Sequence, residues 1–208
     1  MAILLNVPFN EKDEVKALGA KWDNEIKKWY ATDENEYYKF QRWFSKPYND
    51  FVVLDHLYVI TSTQPCFKCG KPTTVVSLAA DKYITFDGEQ FNIFDDDINF
   101  IELHEINSQS LLQYLEKNYK FYKDHSYTTK TDYLANHCDW CGVLQGNYYL
   151  YSEPESPFYM SSEQKAKLLN VYKINLPYDI DISATVGWCS GDYMIKEFCE
   201  IKELYLEI

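Results

Sequence analysis

Cys66-Phe67-Lys68-Cys69-Gly70 and Cys138-Asp139-Trp140-Cys141-Gly142 are the two stretches that decide how this chain is read. In each, two thiols three positions apart sit on one tight turn, so both reach a single metal ion. The glycine that follows lets the backbone curl beneath the sulfurs. Four thiolates, Cys66, Cys69, Cys138 and Cys141, complete a tetrahedral zinc shell of the closed, structural type, with no position left for a substrate. Soft sulfur donors also favour zinc over magnesium or calcium. Sixty-eight residues separate Cys69 from Cys138. That is longer than a standard two-knuckle spacing, so the zinc ribbon is split by a substantial insertion. Competing readings are two separate redox dithiols, unliganded core thiols, or an iron–sulfur cluster, which also accepts four cysteines. A thioredoxin-like dithiol needs its Cys-x-x-Cys between a strand and a helix, whereas Thr73–Leu78 is β-branched and reads as strand. His137 adjoins Cys138 as an alternative ligand, but neighbouring side chains in a strand point to opposite faces.

Outward from the knuckles, the insertion predicts strands at Thr73–Ala79, Tyr83–Phe86, Phe91–Phe94 and Asn99–Ile106. Asp87-Gly88 is a hairpin signal. Ser110–Tyr122 has helical spacing, with Asn107 or Ser108 as its cap. Beyond the second knuckle, Tyr148–Tyr151 reads as strand. Ser162–Val171 reads as helix, with Ser161 and Gln164 as a capping pair. The alternating Ile180, Ile182, Ala184, Val186 and Trp188 predict a half-buried strand. Ser190-Gly191-Asp192 reads as a turn, and Tyr193–Leu206 as a last apolar–polar element.

On the other side, Ile3–Val7 reads as a strand ending at Pro8. Asn10 is the expected cap of a helix with Val15 and Leu18 on its apolar face and Gly19 as its stop. Lys21–Trp22 and Lys28–Ala31 form a hairpin about Asp23-Asn24, and Glu34–Phe44 returns to helical spacing. Pro47 and Asn49 mark a linker. Leu5-Asn6-Val7-Pro8-Phe9, Glu11-Lys12-Asp13-Glu14, Lys16-Ala17-Leu18-Gly19-Ala20, Lys21-Trp22-Asp23 and Lys28-Trp29-Tyr30 together resemble a small bacterial domain of unknown function. That domain is found alone and fused to plasmid-type DNA primases and other mobile-element proteins. The resemblance covers about the first 45 residues. It implies a compact α+β module associated with DNA-processing proteins and carries no catalytic residue. More faintly, Tyr133–Cys138, Cys141-Gly142, Gln145-Gly146 and Glu153-Pro154 resemble uncharacterised bacterial zinc-knuckle proteins, which assigns no activity. The expected organisation is α+β throughout: a small module over residues 1–48, then a larger mixed sheet and helix domain over 49–208 that contains the split zinc ribbon.

Composition narrows the function. The 208 residues carry 20 Lys+Arg and 32 Asp+Glu, a net charge of −12, with 19 Tyr, 12 Phe and 5 Trp. Residues 1–50 hold eight basic and nine acidic side chains, and the rest hold twelve and twenty-three, so the charge divides as −1 and −11. An acidic body, in a chain with a single arginine, Arg42, works against phosphate binding and favours a basic partner. Trp22, Trp29 and Trp43 read either as a base-stacking platform or as the core of a small module. Lys21, Lys27 and Lys28 add a local basic patch. Asp95-Asp96-Asp97, with Asp87 and Glu89, lacks the alternating ligands of a calcium loop and reads as an acidic loop. His56, His104, His125 and His137 are scattered and form no catalytic motif. Cys189 and Cys199 are nucleophile candidates that read more simply as small buried apolar groups. Glu153 and Glu155 read as a solvated turn. The apolar start Ala2–Leu5 is too short for a signal core, and no stretch suits a membrane span. Paired cysteines in a chain of this size place it in a reducing cytoplasm. The expectation is a non-enzymatic, zinc-stabilised binding protein with a basic protein partner, such as an acidic inhibitor or immunity protein. The alternative is a nucleic-acid-associated accessory protein of a mobile element.

Overall fold

The first forty-odd residues build a complete small layer. The computed structural model of the protein describes residues 1–87, 90–187 and 191–208. Strand β1 (Ile3–Leu5) leads through a 3₁₀ turn at Phe9–Glu11 into helix α1 (Lys12–Ala17). Asn10 lies inside that turn and does not cap the helix, because the chain is already wound one residue earlier. Gly19 ends it with φ +103°, a conformation that costs a residue with a Cβ. Strands β2 (Lys21–Asp23) and β3 (Lys28–Ala31) follow, and the sheet order is β1-β3-β2. Asp23 fixes the hairpin turn by accepting from the Glu25 and Ile26 amides at 2.7 and 3.2 Å. The next segment, Glu34–Trp43, is helical but wound as a 3₁₀ helix, capped by the Asp33 carboxylate. Its tighter turn explains why Tyr37, Phe40 and Trp43, every third residue, are buried together.

This module is packed on the rest of the chain. Its buried Ile3, Leu5, Val15, Tyr37, Phe40 and Trp43 share one apolar cluster with Val52, Leu54, Ile84 and Phe86. Two buried carboxylates secure the junction. Asp179 accepts from the Tyr37 hydroxyl at 2.7 Å and from the Asp55 amide at 3.0 Å, while its own amide donates to the Ala2 carbonyl at 2.8 Å. Asp181 accepts from the Ser45 hydroxyl and the Asn49 amide group, both at 2.6 Å. Burial and the neighbouring Asp179 push the Tyr37 phenol far above its ordinary range, so it stays a donor.

The larger part runs β4 (Phe51–Val53), β5 (His56–Pro65), β6 (Pro72–Asp87), β7 (Gln90–Ile106), α2 (Gln109–Tyr119), β8 (Phe121–Ser126), β9 (Thr131–His137), β10 (Leu144–Gln145), α3 (Tyr148–Tyr151), α4 (Glu163–Ala166), β11 (Asn170–Asn175), β12 (Ile180–Gly187), α5 (Tyr193–Phe198) and β13 (Ile201–Glu203). One sheet has the order β13-β11-β5-β6-β4-β12-β7. Strand β6 also pairs with β7, so β6, β4, β12 and β7 close into a ring. A second sheet has the order β10-β9-β8. Phe51, Tyr83 and Phe94 stack in a row, with ring centroids 4.9 and 4.8 Å apart.

Several sequence expectations change here. The four strands expected in the insertion are two long ones. The β6–β7 ladder runs from Leu78↔Ile101 to Asp87↔Gln90, with one irregularity between Ala80 and Lys82. Asp95-Asp96-Asp97 lies in strand β7 at that irregularity and is not a loop: Asp95 faces Lys82, and the carbonyl of Asp96 accepts from the Lys196 ammonium. A bulge lets consecutive acids lie at a strand's surface without burying every second one. Tyr148–Tyr151 is one helical turn. The aromatic run suggested strand, but the Gly146 and Asn147 carbonyls take its amides. The helix expected over Ser162–Val171 is confined to Glu163–Ala166 and capped by Ser162. Val171 belongs to β11, whose pairing with β5 outweighs local helix propensity. Helix α2 is capped by Ser108 and stops at Tyr119, where Lys120 takes a left-handed φ of 48°. The tail element over Tyr193–Leu206 divides into α5 and β13. The expected features involving Gly88, Glu89, Trp188, Cys189 and Ser190 lie outside the described residues.

Candidate metal centre

Each knuckle is the turn of a β-hairpin. Pro65 pairs with Pro72 across the first, and His137 with Leu144 across the second. The two turns are built alike. The Cys66 amide donates to the Lys71 carbonyl at 2.9 Å, and the Cys138 amide to the Val143 carbonyl at 2.9 Å. The amides of Gly70 and Gly142 donate back to the carbonyls of Cys66 and Cys138 at 2.8 and 3.0 Å. Both glycines have positive φ, 70° and 69°, where a side chain is strained. The 68-residue insertion therefore returns the chain to its starting point, and the ribbon closes through space.

All four sulfurs lie within 4.8 Å of one another. Cys66 Sγ is 3.7 Å from Cys141 Sγ, and Cys69 Sγ is 3.7 Å from Cys138 Sγ. A tetrahedral site with metal–sulfur bonds of about 2.3 Å has sulfur–sulfur edges of about 3.8 Å. The donor set fits a metal ion of that kind. Cys66 and Cys138 are buried, while Cys69 and Cys141 face solvent.

Surrounding groups orient the sulfurs. The Trp140 amide points at Cys138 Sγ at 3.4 Å, and the buried Gln145 amide group donates to Cys66 Sγ at 3.5 Å. Asp139 staples the second knuckle to the strand leaving the first: its carboxylate accepts from the Thr74 amide at 2.8 Å and the Thr73 hydroxyl at 3.2 Å. The Trp140 indole donates to the Pro72 carbonyl at 2.7 Å, with the Lys71 ammonium 4.6 Å above its ring. Gln145 and Asp139 carried no signal of these roles in the sequence beyond standing near the cysteines.

Four thiols this close cannot all ionise without a cation. Burial raises the Cys138 thiol, but the Cys141 and Trp140 amides outweigh it and hold the thiol down to about 6. Cys66 is lowered against burial by the amides of Cys69 and Lys68. At Cys69 the Lys71 amide pulls down, yet desolvation and the other three sulfurs together push it up to about 11. A bound dication stabilises all four as thiolates.

The remaining candidates are engaged elsewhere. His137 is fully buried, stacked on Tyr122 at 3.8 Å, and its ring nitrogens lie 3.1 Å from the Lys120 carbonyl and 3.1 Å from the Asp124 carboxylate. It supports the knuckle from behind and does not replace a sulfur. His56 Nε2 sits 2.6 Å from Asp81, which also accepts from Tyr58 at 3.1 Å and pairs with Lys196 at 2.8 Å. Burial alone would raise the Asp81 carboxyl, but His56 and Lys196 prevail and hold it well below the usual range. This network at the β6 bulge had no sequence signal, because the partners of Asp81 lie 23 to 115 positions from it. His125 pairs with Asp132, and His104 meets Thr185 at 2.8 Å. Cys199 donates to the Ala166 carbonyl at 3.1 Å and is pushed up by burial, as an inert thiol is. The tryptophans divide: Trp43 is core, whereas Trp22 is 44% exposed and packs edge-on against Trp29 at 5.6 Å. Among the described residues no helix is long and apolar enough to cross a membrane.

Fold and site together define an α+β protein with a split four-cysteine centre and a small N-terminal module. Residues 3–45 match the family model of a domain of unknown function, DUF5710. Over 39 residues the chain is 54% identical to one DNA primase TraC of Escherichia coli and 44% identical to another. These matches cover 19% of this chain but only 4% and 3% of the primases. The resemblance of the N-terminal segment to a primase-linked domain is thereby established. No solved structure matches the chain.

Proposed function

We propose that the protein is a non-enzymatic binding protein, that Cys66, Cys69, Cys138 and Cys141 hold a structural zinc ion, and that the acidic body from residue 49 onward takes a basic protein partner. The observation that carries the metal is the sulfur cluster: all four sulfurs lie within 4.8 Å of one another and two of the separations, at 3.7 Å, match the edge of a four-thiolate zinc shell, in which every position is filled by protein. A metal so enclosed holds a fold and has no open position for water or substrate. What supports the basic partner is the charge of −11 on residues 51–208 beside a nearly neutral module, which speeds capture of a cationic target. In its most specific form this is a cytoplasmic inhibitor or immunity protein that masks a basic toxin. Metal analysis of the purified chain tests the first part: one zinc per chain is expected, and iron with visible absorption would overturn it. A pull-down from native lysate, with and without nuclease, tests the second. One stoichiometric, nuclease-resistant basic protein is expected.

A second reading is favoured by a specific surface. Asn6, Trp22, Lys27, Lys28 and Trp29 line one hollow of the module, and the matched segment is shared with DNA primases. Aromatic faces beside lysines suit single-stranded nucleic acid. A salt-dependent gel shift with single-stranded DNA, weakened by Trp22→Ala, would support this reading. Absence of a shift at low salt would remove it.

A further inference from the structure

We propose that the cleft beside the knuckles is the docking site for a lysine- or arginine-bearing segment of the protein partner, an assignment that rests on the basic-partner reading above. The cleft has a volume of about 580 Å³. Its floor is Glu102 and His104 of β7, and one wall is the β8–β9 hairpin with Thr129, Thr131 and Asp132. The other wall is the stretch after the second knuckle, and Phe67 of the first knuckle closes the end. A second groove of about 470 Å³ continues from it, sharing Glu102, Asn147 and Tyr148.

Three features select the occupant. Phe67, Tyr148 and Tyr149 are 65%, 60% and 57% exposed, and the two tyrosine rings stand edge to face at 5.5 Å. Exposed aromatic faces at a cleft rim receive cations well. The carboxylates of Glu102 and Asp132 line the space, and no Lys or Arg is among the described residues that line either groove. Finally, these two carboxylates are left without a Lys or Arg partner among the described residues. Glu102 accepts from Asn147 at 2.6 Å and Asp132 contacts His125 at 2.6 Å. Several acids elsewhere are paired with the chain's own cations: Arg42 pairs with Glu11 and Glu14, Lys82 with Asp55, and Lys196 with Asp81. An ammonium or guanidinium in the cleft would meet carboxylates below and aromatic faces at the rim. A phosphate backbone would meet the like charge of Glu102 and Asp132 with no Lys or Arg to offset it. The threonine hydroxyls of the hairpin suit the polar backbone of an extended peptide. The metal centre contributes by placement, since Phe67 lies within one knuckle and Leu144–Tyr149 directly follows the other.

The test uses the full zinc-loaded chain and a fluorescein-labelled decalysine peptide, read by fluorescence anisotropy at low ionic strength. Because any acidic protein attracts polylysine, the comparison is between two variants of equal charge. Glu102→Gln with Asp132→Asn should weaken binding about tenfold, and Glu25→Gln with Glu197→Gln, on exposed sites elsewhere, less than about twofold. Tyr148→Ala with Tyr149→Ala should weaken it about fivefold without changing the net charge. Equal losses in the two charge variants would overturn the cleft while leaving the basic-partner reading intact. No binding of decalysine by the wild type would overturn both. Should a cleft variant fail to fold, photo-crosslinking of the peptide to the wild type decides. Adducts on Phe67, Tyr148 or Tyr149 are expected, and adducts confined to other faces would refute the assignment.

Discussion

Replacing Cys138 with serine should cost the protein its tie between two hairpins, and the size of the loss follows from the chain path. A metal held by the four cysteines would join the β5–β6 turn to the β9–β10 turn, and 68 residues lie between Cys69 and Cys138. Closing a loop of about 70 residues removes about 4 kcal/mol of chain entropy from the unfolded state, treating the metal clip as a cross-link. Structural zinc sites release about 10–16 kcal/mol on binding, which sets an upper bound. Stabilities of whole domains are only about 5–15 kcal/mol. The variant should therefore be insoluble, or melt at least about 8 °C lower, at about 2–4 °C per kcal/mol for a chain of this length. Cys66→Ser and Cys141→Ser should behave alike. Cys199→Ser, outside the centre and still able to donate to Ala166, should stay within about 2 °C. Circular dichroism melts with metal content measured on the same samples provide the assay. If Cys138→Ser proves insoluble, chelator titration of the wild type reads the same loss. A metal-free protein melting with the wild type would refute the reasoning, since the hairpins would then hold together unaided.

Three further outcomes follow from named contacts. Gln145→Leu removes the amide that faces Cys66 Sγ and should weaken zinc affinity about tenfold, measured by competition with a chromogenic chelator. Tyr37→Phe leaves the buried Asp179 one donor short and should destabilise by about 1–3 kcal/mol in urea unfolding. The Asp81 carboxyl is depressed in the folded state, so the unfolded chain binds more protons just below the ordinary carboxylate range. Stability should then fall with acidification below about pH 4 and be fully present above about pH 5. Asp81→Asn should flatten that slope and lower stability at neutral pH by about 2–3 kcal/mol. A variant as acid-sensitive as the wild type would show that His56 and Lys196 do not hold the carboxylate.

What the sequence disclosed was local. Two Cys-x-x-Cys-Gly turns announce themselves because two thiols and a glycine suffice to form a knuckle, whatever the rest of the chain does. The module's elements were legible for the same reason: Gly19 stops a helix and Asp23 turns a hairpin within a few residues of themselves. Elements whose conformation is set by a distant strand or by the turn just before them were misread. Val171 looks helical by its neighbours and is a strand because β5 lies beside it. The tyrosines at 148–151 have strand propensity and form a helical turn because Gly146 and Asn147 present free carbonyls. Glu34–Trp43 showed helical spacing, but a period of three differs from one of 3.6 by too little over three side chains to separate the two helices. Gln145 and the Asp81 network were invisible, since each becomes functional only through a residue far away in sequence.

The position of the four-cysteine site shows what the proposed zinc would add to a protein with so much sheet. The β8–β9–β10 sheet is small, and β10 contributes only Leu144 and Gln145. Three short strands gain independent stability only with an apolar face to cover. This sheet meets the main body through Phe121 and Leu134, which join its apolar core, and through a few polar bonds near the knuckle. Asn136 exchanges two with the backbone of Val76, at 2.7 and 2.9 Å, and Asp139 accepts from Thr73 and Thr74. Helix α2 packs its buried Leu111 and Leu115 into the main core and carries the chain into β8. Without the four sulfurs, the knuckle end of the hairpin would be held by those bonds and by the Trp140 indole bond to the Pro72 carbonyl, each worth about 1 kcal/mol. That same hairpin is one wall of the acidic cleft, while Phe67 stands on the opposite knuckle. If the tie sets the distance between the walls, stripping the metal should weaken decalysine binding at temperatures where circular dichroism still reports a folded main sheet. Undiminished binding by that metal-free, folded protein would separate the cleft from the centre that we assign to shape it.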